Sequence, residues 1–265
     1  MVTVSAWWGM GYASLLVATV VHGWPGAGRG RLMSRAGDVL IALSALLLWA
    51  GALSQGLVEH GWPFVSPADK ASAIGLLLLP LYLIWWRVAR RTEPGLAVAA
   101  VALLLLSYGL GQYAWSPLSE PILSPGVLLE NVLNALGGSL LALAAASAAT
   151  VWLCRQGSKS PVAVQDMPVQ DGADGSDKLV WGALICLAFA LAIDTWWLQK
   201  VGLGAINDAQ QAGIAISWMV YFVALRLRRS PLWRGWPWTA ILVAGFVCTL
   251  PILIQVSWLG ATLPL

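Results

Sequence analysis

Charged residues are scarce in this chain of 265 residues, because Asp, Glu, Lys and Arg together account for only 10% of it. A soluble domain carries about 25% charged residues. The chain is instead 59% hydrophobic, which excludes an ordinary soluble protein and predicts a lipid bilayer as its main surroundings. Histidine is also rare: the chain has 2, His22 and His60, so few imidazoles are present to coordinate a metal or a haem.

Cysteine pairs are missing as well. The 3 cysteines, Cys154, Cys186 and Cys248, stand far apart, and no CxxC pair exists, which argues against a thiol redox relay and a cysteine zinc site. The chain has no glycine-rich nucleotide loop, no cluster of metal-ligand residues and no nucleophile–His–acid spacing. Enzyme chemistry is therefore not indicated, and no catalytic residue is assigned.

Long hydrophobic segments are what the chain does contain. A helix needs about 20 apolar residues to cross a bilayer, and it satisfies its own backbone there. The candidate spans cover about residues 3–22, 38–57, 71–90, 95–114, 127–153, 179–198, 210–227 and 238–259. The sequence thus predicts an all-α polytopic membrane protein with about eight transmembrane helices in one bundle (residues 1–265). The many Gly and Ala residues of the fifth span predict that it lies inside this bundle.

The connection of residues 155–178 is the only long polar one. Its Pro, Gly and Asp residues and its low hydrophobicity predict a flexible cytoplasmic linker between the first five helices and the last three. Lys and Arg set the orientation: 13 of the 15 fall in one set of alternating loops, whereas Lys70 and Lys200 fall in the other. This bias predicts a bacterial-type inner (cytoplasmic) membrane protein with both termini outside. The basic excess is read as an orientation signal with lipid contact, and no nucleic-acid partner is expected.

The segment from Trp196 to Arg229 joins two hydrophobic spans through a short polar bridge. Its spacing resembles the tryptophan-rich WWD segment of the membrane-bound cytochrome c assembly family, the CcsA and HemX type. The residues that match this segment are Trp196, Gly202, Asp208, Trp218 and Tyr221. The three tryptophans of the family motif are replaced here by Val201, Ala205 and Asn207. The segment therefore keeps the spacing of the family and lacks its aromatic platform.

Weaker matches extend the resemblance to about 200 residues of the chain. Gly61–Ser66 (GWPFVS), Pro125–Gly138 (PGVLLENVLNALGG) and Leu259–Leu263 (LGATL) each resemble a family segment in the same order. The resemblance implies a haem-handling protein of cytochrome c-type biogenesis, with haem as its cofactor. Its partners would be membrane lipids and other membrane proteins, such as those of a cytochrome-related complex.

The haem ligands of the family are not found at the matching positions. Haem iron needs axial donors, usually His, but Asn131, Arg226 and Pro264 occupy the positions at which the family has histidine. His60 lies two positions before Trp62, which matches the loop histidine of the family. His60 is thus a candidate for a single ligand; the alternative is an interfacial, hydrogen-bonded histidine. The expected role is an accessory factor that has lost the haem site. The alternatives are a non-catalytic subunit of a larger membrane complex and a small solute or ion permease.

Polar residues at the outer ends of the last four spans form a second candidate site. Ionisable groups in a membrane span are costly and indicate function. The predicted outward-facing cavity is lined by Glu130, Asn131, Asn134, Asp194, Asn207, Asp208, Gln211 and Gln255. For Asp208 the alternative is a helix N-cap. Asp194 is the stronger candidate, because the dipole at a helix C-terminus disfavours a carboxylate.

Overall fold

The computed structural model describes residues 2–23, 31–59, 67–89, 94–113, 125–157, 169–201, 209–233 and 235–254. Within these residues the chain forms helices and no strand, as predicted. The α-helices are α1 (Val2–Gly23), α2 (Arg31–Glu59), α3 (Pro67–Ala89), α4 (Gly95–Tyr113), α5 (Pro125–Gly157), α6 (Val169–Val201), α7 (Ala209–Leu227) and α8 (Trp236–Leu253). A short 3-10 helix, Pro231–Trp233, follows α7. Each predicted hydrophobic segment coincides with one of these helices.

Within the described residues, five helices contain a stretch that is long and apolar enough to cross a membrane. These stretches are Arg35–Gln55, Ala68–Arg87, Leu128–Cys154, Gly175–Trp196 and Trp236–Leu253. Large apolar side chains also face outward, among them Leu46, Leu104 and Phe189, which are 60–72% exposed. An apolar exterior of this kind fits a lipid environment, as expected for an α-helical membrane protein. The count of eight spans and the placement of both termini outside remain predictions.

The connection between α5 and α6 is shorter than the predicted linker of residues 155–178. α5 continues to Gly157 and α6 begins at Val169, whereas residues 158–168 lie outside the described part. Low hydrophobicity does not stop a helix that tertiary contacts hold. At this end of α6, Asp177 forms an ion pair with Arg228, and the indole Nε1 of Trp238 donates to Ser176 Oγ at 3.2 Å.

The helices form two groups of four, α1–α4 and α5–α8. In each group the first helix packs on the second, the second on the third, the third on the fourth and the fourth on the first. Neighbouring helices run antiparallel: Trp8 lies beside Gly51, for example, and His22 lies beside Asp38. The second group thus repeats the arrangement of the first, although the sequence shows no fixed-period repeat.

α5 connects the two groups, because it packs on α3 and α4 as well as on α6 and α8. Its small residues allow this close approach. A Cβ atom at Gly137 would lie 2.9 Å from the Leu187 side chain of α6, and one at Gly138 would lie 3.2 Å from Ile74 of α3. Ser139 Oγ also donates to the carbonyl oxygen of Ile74 at 2.8 Å. α5 therefore lies inside the bundle, as its composition predicts.

All odd-numbered helices begin at the same end of the bundle, and all even-numbered helices end there. The Lys and Arg distribution predicts that this end faces outside. We call it the outer end and the opposite one the inner end, in this predicted sense.

Candidate functional site

The packing of α5 on α6 sets the level of two carboxylates. Gly137 of α5 lies against Leu187 of α6, and the two helices are antiparallel. Glu130 on α5 and Asp194 on α6 each lie seven residues from this contact, toward the outer end. Seven residues span about 10 Å along a helix. The two acidic residues, which are far apart in sequence, therefore lie at the same depth in the bundle.

Asp194 is held by α7. Gln211, in the first turn of α7, donates a hydrogen bond from Nε2 to Asp194 Oδ2 at 2.5 Å. The Gln211 side chain is buried, whereas Asp194 is half-buried. A charge-assisted hydrogen bond of this type contributes about 1.5–3 kcal/mol. The contact joins the outer end of α6 to the start of α7.

The first turns of α5 add a buried polar group. Asn134 Nδ2 donates to Glu130 Oε1 at 3.2 Å, across one helical turn. Glu130, Asn131 and Asn134 are only 3–9% exposed. Because α5 begins at Pro125, Glu130 is its sixth residue and lies beyond the first turn, where the helix dipole most favours a carboxylate. Burial of this degree is also not expected for a position on a protein surface.

α3 supplies two further buried charged residues at this end. Asp69 and Lys70 are each 7% exposed. Since Ile74 contacts Ser139 and Gly138, the position one turn further out on α3, Lys70, lies at the level of Asn134 on α5. The hydropathy pattern placed the start of this span at residue 71, and so both residues fell into a predicted loop. Composition does not show that the first turn of α3, which contains Lys70, is buried.

We call these residues together the outer polar layer. The layer consists of Asp69, Lys70, Glu130, Asn131, Asn134, Asp194 and Gln211. It carries three carboxylates and one ammonium group, on α3, α5 and α6, together with the amide groups of Asn131, Asn134 and Gln211. Charges withdrawn from water are costly unless they are paired. The layer thus places charged and amide groups of α3, α5, α6 and α7, most of them buried, at the outer end of the bundle.

Several predicted residues lie outside the described part of the chain. These are His60, Gly202, Asn207, Asp208 and Gln255. Of the predicted cavity residues within it, the structure joins Asp194 to Gln211 and Glu130 to Asn134 by hydrogen bonds, and it buries Asn131.

The residues that match the WWD segment have packing roles where the structure describes them. Trp218 Nε1 donates to the carbonyl oxygen of Leu184 on α6 at 3.0 Å. Its ring stacks on Phe222, with the ring centroids 5.2 Å apart. Tyr221 is 1% exposed, and its hydroxyl lies against Gly245 of α8. Trp196, in contrast, is 52% exposed at the outer end of α6. Trp218 and Tyr221 therefore hold α7 between α6 and α8.

The described residues do not fit a haem site. Asn131 and Arg226, which the resemblance aligns with family histidines, carry no imidazole; the guanidinium of Arg226 lies 5.1 Å from the centroid of the Phe222 ring. His22, the imidazole in the described residues, lies at the inner end between glycines: a Cβ atom at Gly37 or Gly95 would lie within 2.9 Å of its ring. A porphyrin face has no room there. Asn131 and Arg226 therefore do not supply the imidazole that haem iron usually binds, and the surroundings of His22 exclude a porphyrin.

No metal-binding group of three or more His, Cys, Asp or Glu side chains occurs in the part of the chain that the structure describes. Comparison of the chain with protein-family models, with curated proteins and with solved structures found no match. The resemblance to the WWD segment therefore stays a prediction.

Replacing Trp218 by phenylalanine tests its packing role. Phenylalanine can keep the stacking on Phe222 but cannot donate to Leu184, so we expect a loss of stability of about 1 kcal/mol. Thermal unfolding in mild detergent, followed by tryptophan fluorescence, measures the change. Trp7→Phe is the matched control, because the Trp7 ring is exposed and should tolerate the change. Equal effects of the two substitutions would contradict the packing role.

Proposed function

We propose that this protein is a multi-pass membrane accessory factor, whose outer polar layer binds a polar group of a partner membrane protein. In line with the resemblance, the partner belongs to cytochrome c or haem biogenesis. The observation that supports the proposal most is that Glu130 and Asp194 lie at the same depth in the bundle, with Asp194 hydrogen-bonded to Gln211. Buried carboxylates at the end of a membrane bundle suit a partner that supplies hydrogen-bond donors or positive charge.

An accessory role, rather than haem transfer by this chain, is supported by how the matching residues are used. Trp218 donates to a backbone carbonyl and Tyr221 packs on Gly245, and so both serve the contacts of α7. Asn131, at a ligand position of the family, belongs to the polar layer. In this proposal the chain keeps the helix frame of the family and uses its outer end for binding a partner.

Affinity purification in mild detergent tests the proposal with the double variant Glu130→Gln/Asp194→Asn. The exchange keeps size and removes two charges. Each charge-assisted bond contributes about 1.5–3 kcal/mol, and 1.4 kcal/mol corresponds to about tenfold in affinity. We expect the amount of co-purified partner to fall by at least about tenfold. Lys178→Gln, which removes an exposed charge near the inner end, is the control and should retain the partner. Retention of the partner by the double variant would reject this role of the layer.

A second candidate is a small cation or solute permease. The observation that favours it is the burial of Asp69 and Lys70 on α3, since charges inside a membrane bundle mark ion and substrate pathways. Uptake of a panel of small cations and amines into proteoliposomes measures this activity. A permease should lose uptake in Glu130→Gln/Asp194→Asn. Equal uptake by that variant, by the wild type and by empty liposomes would eliminate the permease.

A further inference from the structure

A separate cluster of ionisable residues lies at the inner end of the α1–α4 group. His22 is at the end of α1, Asp38 is near the start of α2, and Tyr82 is on α3. Tyr82 donates its hydroxyl to Asp38 Oδ1 at 2.7 Å, and His22 Nε2 lies 3.6 Å from the same oxygen. The three residues are 9%, 3% and 0% exposed, respectively. The triad therefore brings together residues of three helices, and none of its members belongs to the outer polar layer.

The second carboxylate oxygen of Asp38 is the unusual feature of this triad. Oδ2 is buried and has no hydrogen-bond partner among the described residues. A buried ionised carboxylate with an unsatisfied oxygen is costly in an apolar bundle. Two arrangements remove most of this cost: a proton on the carboxyl group itself, or a proton on the imidazole that faces it. Both arrangements need one proton in the triad.

The packing around the imidazole limits the size of a ligand. A Cβ atom at Gly37 would lie 2.5 Å from His22 Nε2, and one at Gly95 would lie 2.8 Å from both His22 Cε1 and the Tyr82 hydroxyl. The ring therefore lies directly on the backbones of α2 and α4. This leaves no space on those sides for a hydrated ion or an organic molecule, whereas a proton needs none.

We propose that His22, Asp38 and Tyr82 form a proton-binding site, in which His22 and Asp38 share a proton that exchanges with water at the inner end. Tyr82 orients the carboxyl group through its hydrogen bond. Among the side chains that the structure describes, the charged groups at this end of α1–α4 are Arg35 of α2 and Arg87 of α3, both exposed; α4 has no titratable residue from 95 to 107. Asp and His pairs inside membrane bundles serve as proton relays. The site can therefore take up and release a proton at the inner end of the bundle.

Infrared difference spectroscopy between acidic and alkaline pH tests this site on the purified full-length protein in lipid. We expect a carboxyl C=O band that appears at acidic pH, shifts in D2O because the proton exchanges with solvent, and is lost in Asp38→Asn. In Tyr82→Phe the same band should move to higher wavenumber, since the carboxyl group loses a hydrogen bond. Asp69→Asn, on the outer part of α3, should leave the Asp38 band in place.

The proposal is overturned if the wild type shows no carboxyl band that depends on pH, or if Asp38→Asn leaves every such band unchanged. Should Asp38→Asn fail to fold, the Tyr82→Phe and His22→Gln variants decide the matter. Both keep Asp38 and alter its surroundings, so each must change the position or the pH range of the band. A band unaffected by both belongs to another carboxyl group, and the triad is then a structural contact only.

Discussion

Gly137→Leu is expected to destabilise the bundle by about 3 kcal/mol, at the upper end of the usual cost of overpacking. The added Cβ atom alone would lie 2.9 Å from the Leu187 side chain and 3.4 Å from the carbonyl oxygen of Ala183. The rest of the leucine side chain has to enter α6, which packs on α5 more extensively than any other helix does. The two helices must move apart, and Glu130 and Asp194 then no longer lie at the same depth.

Thermal unfolding in detergent, followed by tryptophan fluorescence, checks this result. For a chain of this size, 1 kcal/mol corresponds to about 2–4 °C in Tm, so the midpoint should fall by about 6–12 °C. Gly9→Leu is the matched control, because no atom lies within 4 Å of a Cβ atom built there. A Tm of Gly137→Leu within about 2 °C of the control would show that α5 and α6 are not packed as described.

Arg228→Ala is the second substitution with a large expected effect. Arg228 is 7% exposed, forms an ion pair with Asp177 of α6, and places its guanidinium 4.6 Å from the centroid of the Trp238 ring of α8. One side chain thus fastens the inner ends of three helices. Breaking a buried ion pair costs about 3–5 kcal/mol. Because Asp177 is 29% exposed and can recover water, we expect a smaller loss of about 2 kcal/mol.

The neighbouring Arg229 is the control for this substitution, since it is exposed and Arg229→Ala should change stability by less than about 0.5 kcal/mol. The double variant Asp177→Asn/Arg228→Met should recover part of the loss, because it leaves no charge without its partner. Unfolding in detergent measures all three proteins. An Arg228→Ala protein as stable as Arg229→Ala would contradict the fastening role.

The helices themselves could be predicted from the sequence because long apolar runs leave little choice in a bilayer. The eight predicted segments coincide with α1–α8, and their ends differ where polar residues continue a helix. α6, for example, begins at Val169, well before the predicted start at residue 179, and in this added part Ser176 and Asp177 have partners on α8 and next to α7. Hydropathy reports on the apolar part of a helix only, so such extensions are not visible to it.

The site could be predicted only in part. Glu130, Asp194 and Gln211 stand out as polar residues in or beside apolar segments, but hydropathy does not show that α3 begins before Lys70 and buries it at the level of Asn134. Asp38 and Tyr82 were not singled out for the same reason: which helices meet depends on packing, and the cyclic order of α1–α4 and α5–α8 leaves no period in the sequence. The role of Trp218 also required the structure, which shows the carbonyl group that its indole contacts.

Native mass spectrometry of the wild-type protein, released gently from its own membrane, tests most directly whether the chain works as an accessory factor. We predict a complex of this chain with a partner membrane protein in fixed ratio, which dissociates in Glu130→Gln/Asp194→Asn and persists in Lys178→Gln. A wild-type chain found alone, or one that carries the mass of a haem and loses it in His60→Ala, would contradict the account.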